Sequence, residues 1–235
     1  MSNVCDIGII GAMTAEVEAI ISSLSSPASE CVSGIKFYTG ILLGKRVAVA
    51  TSGVGKVFAA LAAEAMILKY SPRLIINTGV GGAISGELRP LDIVFAERVV
   101  QHDMDTSPLG DPKGLISGIN KIYFSSDERA VSILSSLAEK MKVSFRVGTV
   151  ATGDRFVCSP NDKRAIYEAF SADVCEMEGG AIAQTAYVNS TPFVVVRAIS
   201  DSADGDASMD YSEFLPRAAK ISTELTLGLV QEYPT

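Results

Sequence analysis

Positions 193–201 read Phe-Val-Val-Val-Arg-Ala-Ile-Ser-Asp, an apolar run of strand length that ends in a cation, a hydroxyl and an acid. Such a run fits a strand buried within an α/β sheet, where both faces are covered. Ligands of open α/β sheets bind beyond the carboxyl ends of the strands. The run is preceded by Glu176-Met177-Glu178-Gly179-Gly180 and a helix-like segment. Buried charges are costly unless paired or used. Glu178, Arg197 and Asp201 therefore mark a candidate site at a strand edge.

Other segments repeat the pattern of an apolar strand followed by a helical period. Ile7–Met13 reads as a first buried strand with a glycine-containing turn, and it completes no G-x-G-x-x-G fingerprint. In the helix that follows, Val17, Ile20, Ile21 and Leu24 share one face, and Thr14 is the expected N-cap. Glu16 falls in the first turn off that face. It reads either as a surface carboxylate favourable to the helix dipole or as a group aimed at a pocket beyond the first strand. Residues 36–40 and 46–51 predict a hairpin turning near Leu43-Gly44-Lys45. Ser52-Gly53-Val54-Gly55-Lys56 leads into an Ala-rich helix to about Tyr70 and lacks P-loop spacing. Residues 74–83 predict a strand running into a glycine-rich turn that includes Gly81 and Gly82. Glycine there lets backbone N–H groups approach a ligand.

Strands are further expected over 92–100 and 145–152, and helices over 127–142, 160–170 and the segment ending at Asn189. A final helix presents Phe214, Ala218, Ile221, Leu225 and Leu229, with capping-box spacing at Asp210 and Glu213. The polar loop 102–120 is long enough to be functional or interfacial. No repeat or linker interrupts the chain. The expectation is one α/β domain over 1–235, built on a central mixed, twisted β-sheet flanked by α-helices.

Composition narrows the chemistry. The chain has 235 residues and a net charge of −7, which argues against nucleic acid as the main partner. The four cysteines, Cys5, Cys31, Cys158 and Cys175, show no CxxC spacing and read as buried free thiols. One histidine, His102, is available. It reads as a hydrogen-bonded structural residue rather than a catalyst, and no cluster has metal-ligand spacing. The first residues lack a basic start and a long apolar core, so no signal peptide is expected. No membrane span is expected either. A cytoplasmic protein without metal or cofactor follows.

Taken in order, these motifs resemble the 5′-methylthioadenosine/S-adenosylhomocysteine nucleosidase family of the nucleoside phosphorylase superfamily. The likeness runs over nearly the whole chain. It is carried by Gly8–Met13 with Glu16-Val17, Ser52–Lys56, Ile76–Gly79, Gly153–Phe156, Glu176–Glu178 and Arg197–Asp201. The resemblance implies a nucleoside phosphorylase-like three-layer architecture and a homodimer. It implies that Asp201 protonates adenine N7, with Ser200 supporting its orientation, and that Glu16 activates water. Glu178 would bind the ribose hydroxyls with Met177 against the sugar, and Arg197 would lie near the water and the carboxylates. Phe156 would stack on the base, and the Val157 backbone would read its edge. Met13, Val80, Gly82 and Tyr211 would line the substrate pocket. The loop at Leu109 would help close it, partly across the dimer.

The implied reaction is hydrolysis of the N-glycosidic bond of 5′-methylthioadenosine and S-adenosylhomocysteine, releasing adenine. Asp rather than Asn at 201 favours a 6-aminopurine in this superfamily. Enclosure is expected to hold Asp201 protonated near neutral pH. Two alternatives share the fold. A phosphate-dependent purine nucleoside phosphorylase would need cationic or N–H donors for phosphate where this chain has Asn77, Val80, Glu16 and Glu18. A non-catalytic nucleoside-binding or storage relative would not need acid, base and ribose carboxylate together. Val80 replaces a Ser of the better-known bacterial nucleosidases, and Thr106, Leu109 and Asp111 also depart from them. Those departures bear on the group carried at the substrate 5′ position.

Overall fold

The structure, a computed structural model, describes residues 4–201 and 207–234, with the side chains of 207–213 outside that description. In chain order the elements are β1 (Ile7–Gly11), α1 (Thr14–Ser22), β2 (Ser25–Val32), β3 (Ile35–Leu42), β4 (Lys45–Thr51), α2 (Lys56–Tyr70), β5 (Leu74–Ala83) and β6 (Ile93–Gln101). There follow β7 (Tyr123–Ser125), α3 (Glu128–Met141), β8 (Phe145–Thr152), α4 (Pro160–Phe170), β9 (Val174–Glu176), α5 (Gly179–Val188), β10 (Phe193–Asp201) and α6 (Ala207–Glu232).

All these strands join one mixed sheet in the order β10-β6-β8-β9-β5-β1-β4-β3-β2, with β7 on β6. A further pairing of β10 with β5 closes β10, β6, β8, β9 and β5 into a ring. Parallel pairs such as β1–β5, β5–β10 and β6–β8 alternate with antiparallel ones such as β10–β6 and β5–β9. Helices cover both faces. Along β10, Val194, Val196 and Ala198 pack with α1, α3 and α6, whereas Val195 and Ile199 pack with α2 and α5. Successive strand side chains point to opposite faces, so one uniformly apolar strand serves two cores. A smaller apolar cluster joins Ile166 and Phe170 of α4 to Val100, Ala151, Val157 and Cys175.

The fork at β5 positions the site. On one edge β5 pairs Leu74–Asn77 with β1 and then Gly82–Ala83 with β9. Residues 78–81 between them pair with neither strand. On the other edge β5 follows β10 from Ile75 to Gly82. The ends of β1, β9 and β10 therefore converge on one stretch of β5. The first strand does not lie beside the strand ending at Asp201: β5 stands between them.

Several local expectations are corrected. Residues 79–82 are strand rather than turn. Their glycines serve close approach: a Cβ on Gly79 would come 2.6 Å from Glu16 Oε1, and one on Gly82 would come 2.8 Å from Asp201 Oδ2. Thr14 is the first helical residue of α1 and Met13 its N-cap, because the Glu16 carboxylate takes up the N–H groups at this end. Asp127 caps α3 by accepting from the Ala130 N–H at 2.8 Å. Cys5 and Cys175 are buried thiols, but Cys31 and Cys158 are exposed, one on an edge strand and one in a loop. His102 donates its backbone N–H to Thr152 O at 2.9 Å, its buried Nε2 has no partner among the described residues, and burial lowers its pKa. Strands β2 and β7 are additions to the predicted set. The capping-box pair Asp210 and Glu213 lies outside the described side chains. No described helix is long and apolar enough to cross a membrane.

Candidate active site

A cavity of about 220 Å³ opens at the β5 fork. Its wall is built by Met13 and Glu16 after β1, Val80 and Gly82 on β5, and Phe156 after β8. Met177 and Glu178 after β9, with Ser200 and Asp201 at the end of β10, also line it, and Glu176 reaches it from the end of β9. Nine of the residues singled out in the sequence thus face one cavity. Among the described residues no cluster of His, Cys, Asp or Glu could hold a metal ion.

Glu16 is 4% exposed. Its Oε2 accepts the N–H groups of Ala12 at 2.8 Å and Met13 at 2.9 Å, and its Oε1 accepts that of Val80 at 3.2 Å. The first helical turn aims its carboxylate at the part of β5 that lacks a neighbouring strand. Burial raises the Glu16 pKa, opposed by the Arg197 charge and by the three backbone donors.

Glu178 lines the same cavity. Its Oε1 accepts the Gly55 N–H at 2.8 Å, which ties the loop before α2 to the site. Gly55 has φ +100°, a conformation that glycine adopts without steric cost. Burial, reinforced by the neighbouring charge of Glu176, pushes Glu178 up to about 7, while Arg197 and the Gly55 N–H pull the other way.

Arg197 does not face the cavity. It is 1% exposed and lies behind the carboxylates. Its Nη2 binds Glu176 and donates to Asn77 Oδ1 at 2.6 Å, and it stands 4.0 Å from Glu178. Glu176 in turn accepts from Thr152 Oγ1 and from the N–H groups of Glu178 at 3.1 Å and Gly179 at 2.7 Å. This polar core fixes the turn from β9 into α5, and with it the carboxylate of Glu178. Sequence reasoning missed Glu176 and Asn77. A polar Asn within the apolar run 74–76 was the available signal for Asn77.

Asp201 is 1% exposed. Ser200 Oγ donates to its Oδ1 at 3.0 Å, and Lys163 Nζ of α4 lies 3.4 Å from its Oδ2. Both donors favour the carboxylate, whereas enclosure favours the acid. The sequence expectation weighed enclosure alone, because nothing in the sequence ties Lys163 to Asp201.

Two residues expected at the substrate do not line this cavity. Val157 is buried in the apolar cluster under α4 and does not line the cavity. Leu109 sits on the 3₁₀ turn Ser107–Leu109, 85% exposed and away from the cavity of its own chain. The Tyr211 side chain lies outside the described residues.

Residues 6–231 match the phosphorylase superfamily. A 5′-methylthioadenosine/S-adenosylhomocysteine nucleosidase of Shewanella sediminis is 37% identical over 227 residues, covering 96% of this chain and 99% of the relative. A Staphylococcus aureus protein of the same description is 38% identical over the same shares. Among solved structures, the S-adenosylhomocysteine nucleosidase of Streptococcus pyogenes in complex with 5-methylthiotubericidin superposes with TM-score 0.93 at 34% identity, covering 99% of this chain and 98% of that one. The futalosine hydrolase of Helicobacter pylori also superposes with TM-score 0.93, at 31% identity over 97% of this chain and 98% of that one.

Proposed function

The chain belongs to the phosphorylase superfamily, and from that premise we propose that it hydrolyses the N-glycosidic bond of 5′-methylthioadenosine and S-adenosylhomocysteine. The observation that carries this reading is that Glu16, Glu178 and Asp201 all line one small cavity. Cleavage of an N-ribosyl bond moves electrons into the purine and leaves an oxocarbenium-like sugar. Asp201, oriented by Ser200, protonates N7 and makes adenine a better leaving group. Glu16 takes a proton from the attacking water. Each such transfer is worth about 10²–10⁴-fold. Glu178 binds the ribose hydroxyls, and its negative charge stabilises the cationic sugar. Phe156, half exposed at the mouth, stacks on the base, and Met177 packs against the sugar. Arg197 holds the carboxylates in place through Glu176 rather than touching the reacting atoms.

The same geometry weighs against phosphorolysis. The backbone donors near the sugar face, Ala12, Met13 and Val80, are all engaged by the Glu16 carboxylate. A phosphate would find a carboxylate there, and among the described residues no Lys or Arg lines the cavity. The decisive assay is adenine release from methylthioadenosine with and without phosphate. Phosphate-independent release supports hydrolysis, and a strict phosphate requirement overturns it.

The likeness to a futalosine hydrolase supports a second substrate reading, an adenine nucleoside with a bulkier 5′ group such as aminofutalosine. The proposed acid, base and ribose carboxylate act on atoms that all these substrates share, so the choice falls to the region beyond the 5′ carbon. Competition between methylthioadenosine, S-adenosylhomocysteine, 5′-deoxyadenosine and aminofutalosine decides it. We further propose a cytoplasmic homodimer. The outer face of α2 exposes Val57, Phe58, Leu61 and Leu68, and such a contiguous apolar face suits a subunit contact.

A further inference from the structure

Lys163 occupies a position that the reaction scheme above leaves unused. It lies in the second turn of α4, is 3% exposed, and places Nζ 3.4 Å from Asp201 Oδ2. Burying an ammonium costs several kcal/mol unless its partner compensates, so the pair requires a reason. One reason is structural, since the pair fixes α4 against the end of β10. A second observation goes further. Lys163 also lines a separate surface cavity of about 290 Å³, with Ser85, Glu87, Arg164 and Tyr167. Asp201 lines the substrate cavity, which Lys163 does not reach. The pair is therefore a wall between two cavities, with one member facing each.

The proposed hydrolysis creates a need at this wall. The proton given to N7 leaves with adenine, and the proton of the attacking water ends on Glu16. Each turnover leaves Asp201 as a carboxylate in a cavity filled by product. We propose that Lys163 is a positioning residue that acts through Asp201, returning the proton to it from the second cavity. This rests on the nucleosidase reading. An N–H bond of the ammonium breaks as an O–H bond forms on Asp201 Oδ2, and the neutral amine then takes a proton from water in the second cavity. Glu16 gives its proton to solvent once product leaves, so the count closes over a cycle. Among the described residues, the ionisable groups around the pair are Cys175 and Glu176 on β9, Arg155 before α4, Asp162 and Arg164 on α4, and Glu87 and Tyr167 at the second cavity.

Small amines test the relay. Lys163→Ala should lower kcat for adenine release about 100-fold, within the range of a lost proton transfer, with KM little changed. Methylamine and ethylamine should restore kcat in proportion to the protonated amine, and the restored rate should follow the acid strength of the amine rather than its volume. Lys163→Met keeps the stem and should stay folded but slow, and Lys163→Arg should recover part of the rate. Wild-type kcat in Lys163→Met, or rescue indifferent to amine acidity, overturns the relay. A substrate-free readout separates this from the nucleosidase reading. The Asp201 carboxyl carbon, followed by ¹³C NMR, should titrate at higher pH in Lys163→Met than in the wild type, and an unchanged titration overturns the coupling. That titration difference, found together with a wild-type protein that releases no adenine, would instead sink the nucleosidase reading alone.

Discussion

The guanidinium of Arg197 binds Glu176 directly and stands off from Glu178 by 4.0 Å. Arg197 thus neutralises Glu176 and leaves Glu178, a second carboxylate on the same cavity wall, largely unneutralised. Removing one member of a buried pair strands the other, at a cost of about 3–5 kcal/mol. Arg197→Met should lower stability in urea unfolding by that order, and the double variant Arg197→Met/Glu176→Gln should regain part of the loss.

Glu178 should make stability depend on pH. Its carboxyl is raised from 4.5 to about 7 by burial and by Glu176. The folded protein therefore holds a proton that the unfolded chain releases earlier. The contribution to stability is fully present below pH 4.5 and is lost as pH rises through about 7. The span corresponds to roughly 3 kcal/mol at about 1.4 kcal/mol per unit. Thermal melts between these pH values should show the decline, and Glu178→Gln should flatten it. If the carboxylate is the form that holds ribose, KM should fall as pH rises through the same window.

Glu16→Gln is isosteric but turns an acceptor into a donor. The side chain now accepts three N–H groups across both oxygens, and an amide nitrogen would face at least one of them. A loss of kcat of about 10²–10⁴-fold is expected, with binding of a substrate analogue retained. Full adenine release by this variant would remove Glu16 from the role of base.

Gly79→Ala should injure the same group from behind. The added methyl would lie 2.6 Å from Glu16 Oε1 and 3.1 Å from its Cδ, so the carboxylate must move. Kinetics and melting together distinguish the outcomes. A drop in kcat with little change in melting temperature is expected, because the side chain rather than the strand gives way.

Phe58→Glu on the outer face of α2 should yield a monomer if that face is the subunit contact. Sedimentation at micromolar concentration reads this directly. A dimer unaffected by Phe58→Glu and Leu61→Glu would place the interface elsewhere.

Much of the fold was legible because its strands are apolar on both faces. Residues 193–201, 74–78 and 145–152 announce themselves by composition alone. Strand β2, Ser25–Val32, was not, since nearly all its side chains are exposed and it joins the sheet by backbone pairing with β3. The glycines at 79, 81 and 82 looked like a turn because glycine marks both turns and close approach. The periodicity of α1 could not decide Glu16, for a first-turn carboxylate is equally favourable in solvent. Its burial depends on the open edge of β5, which only the register of β1 and β9 defines. Lys163 left no trace in the sequence, as its partner lies on a different element and α4 has an ordinary surface pattern.

The closed ring of β10, β6, β8, β9 and β5 has a bearing on biogenesis. Its last member, β10, is inserted between β5 and β6, two strands synthesised long before it. Pairings so distant along the chain close slowly. Until β10 seats, Asp201 is absent from the cavity and the carboxylates of Glu176 and Glu178 lack the Arg197 cation. A growing or partly refolded chain therefore carries no assembled site. Recovery of adenine-releasing activity during refolding would then time the docking of one strand, rather than the collapse of the whole.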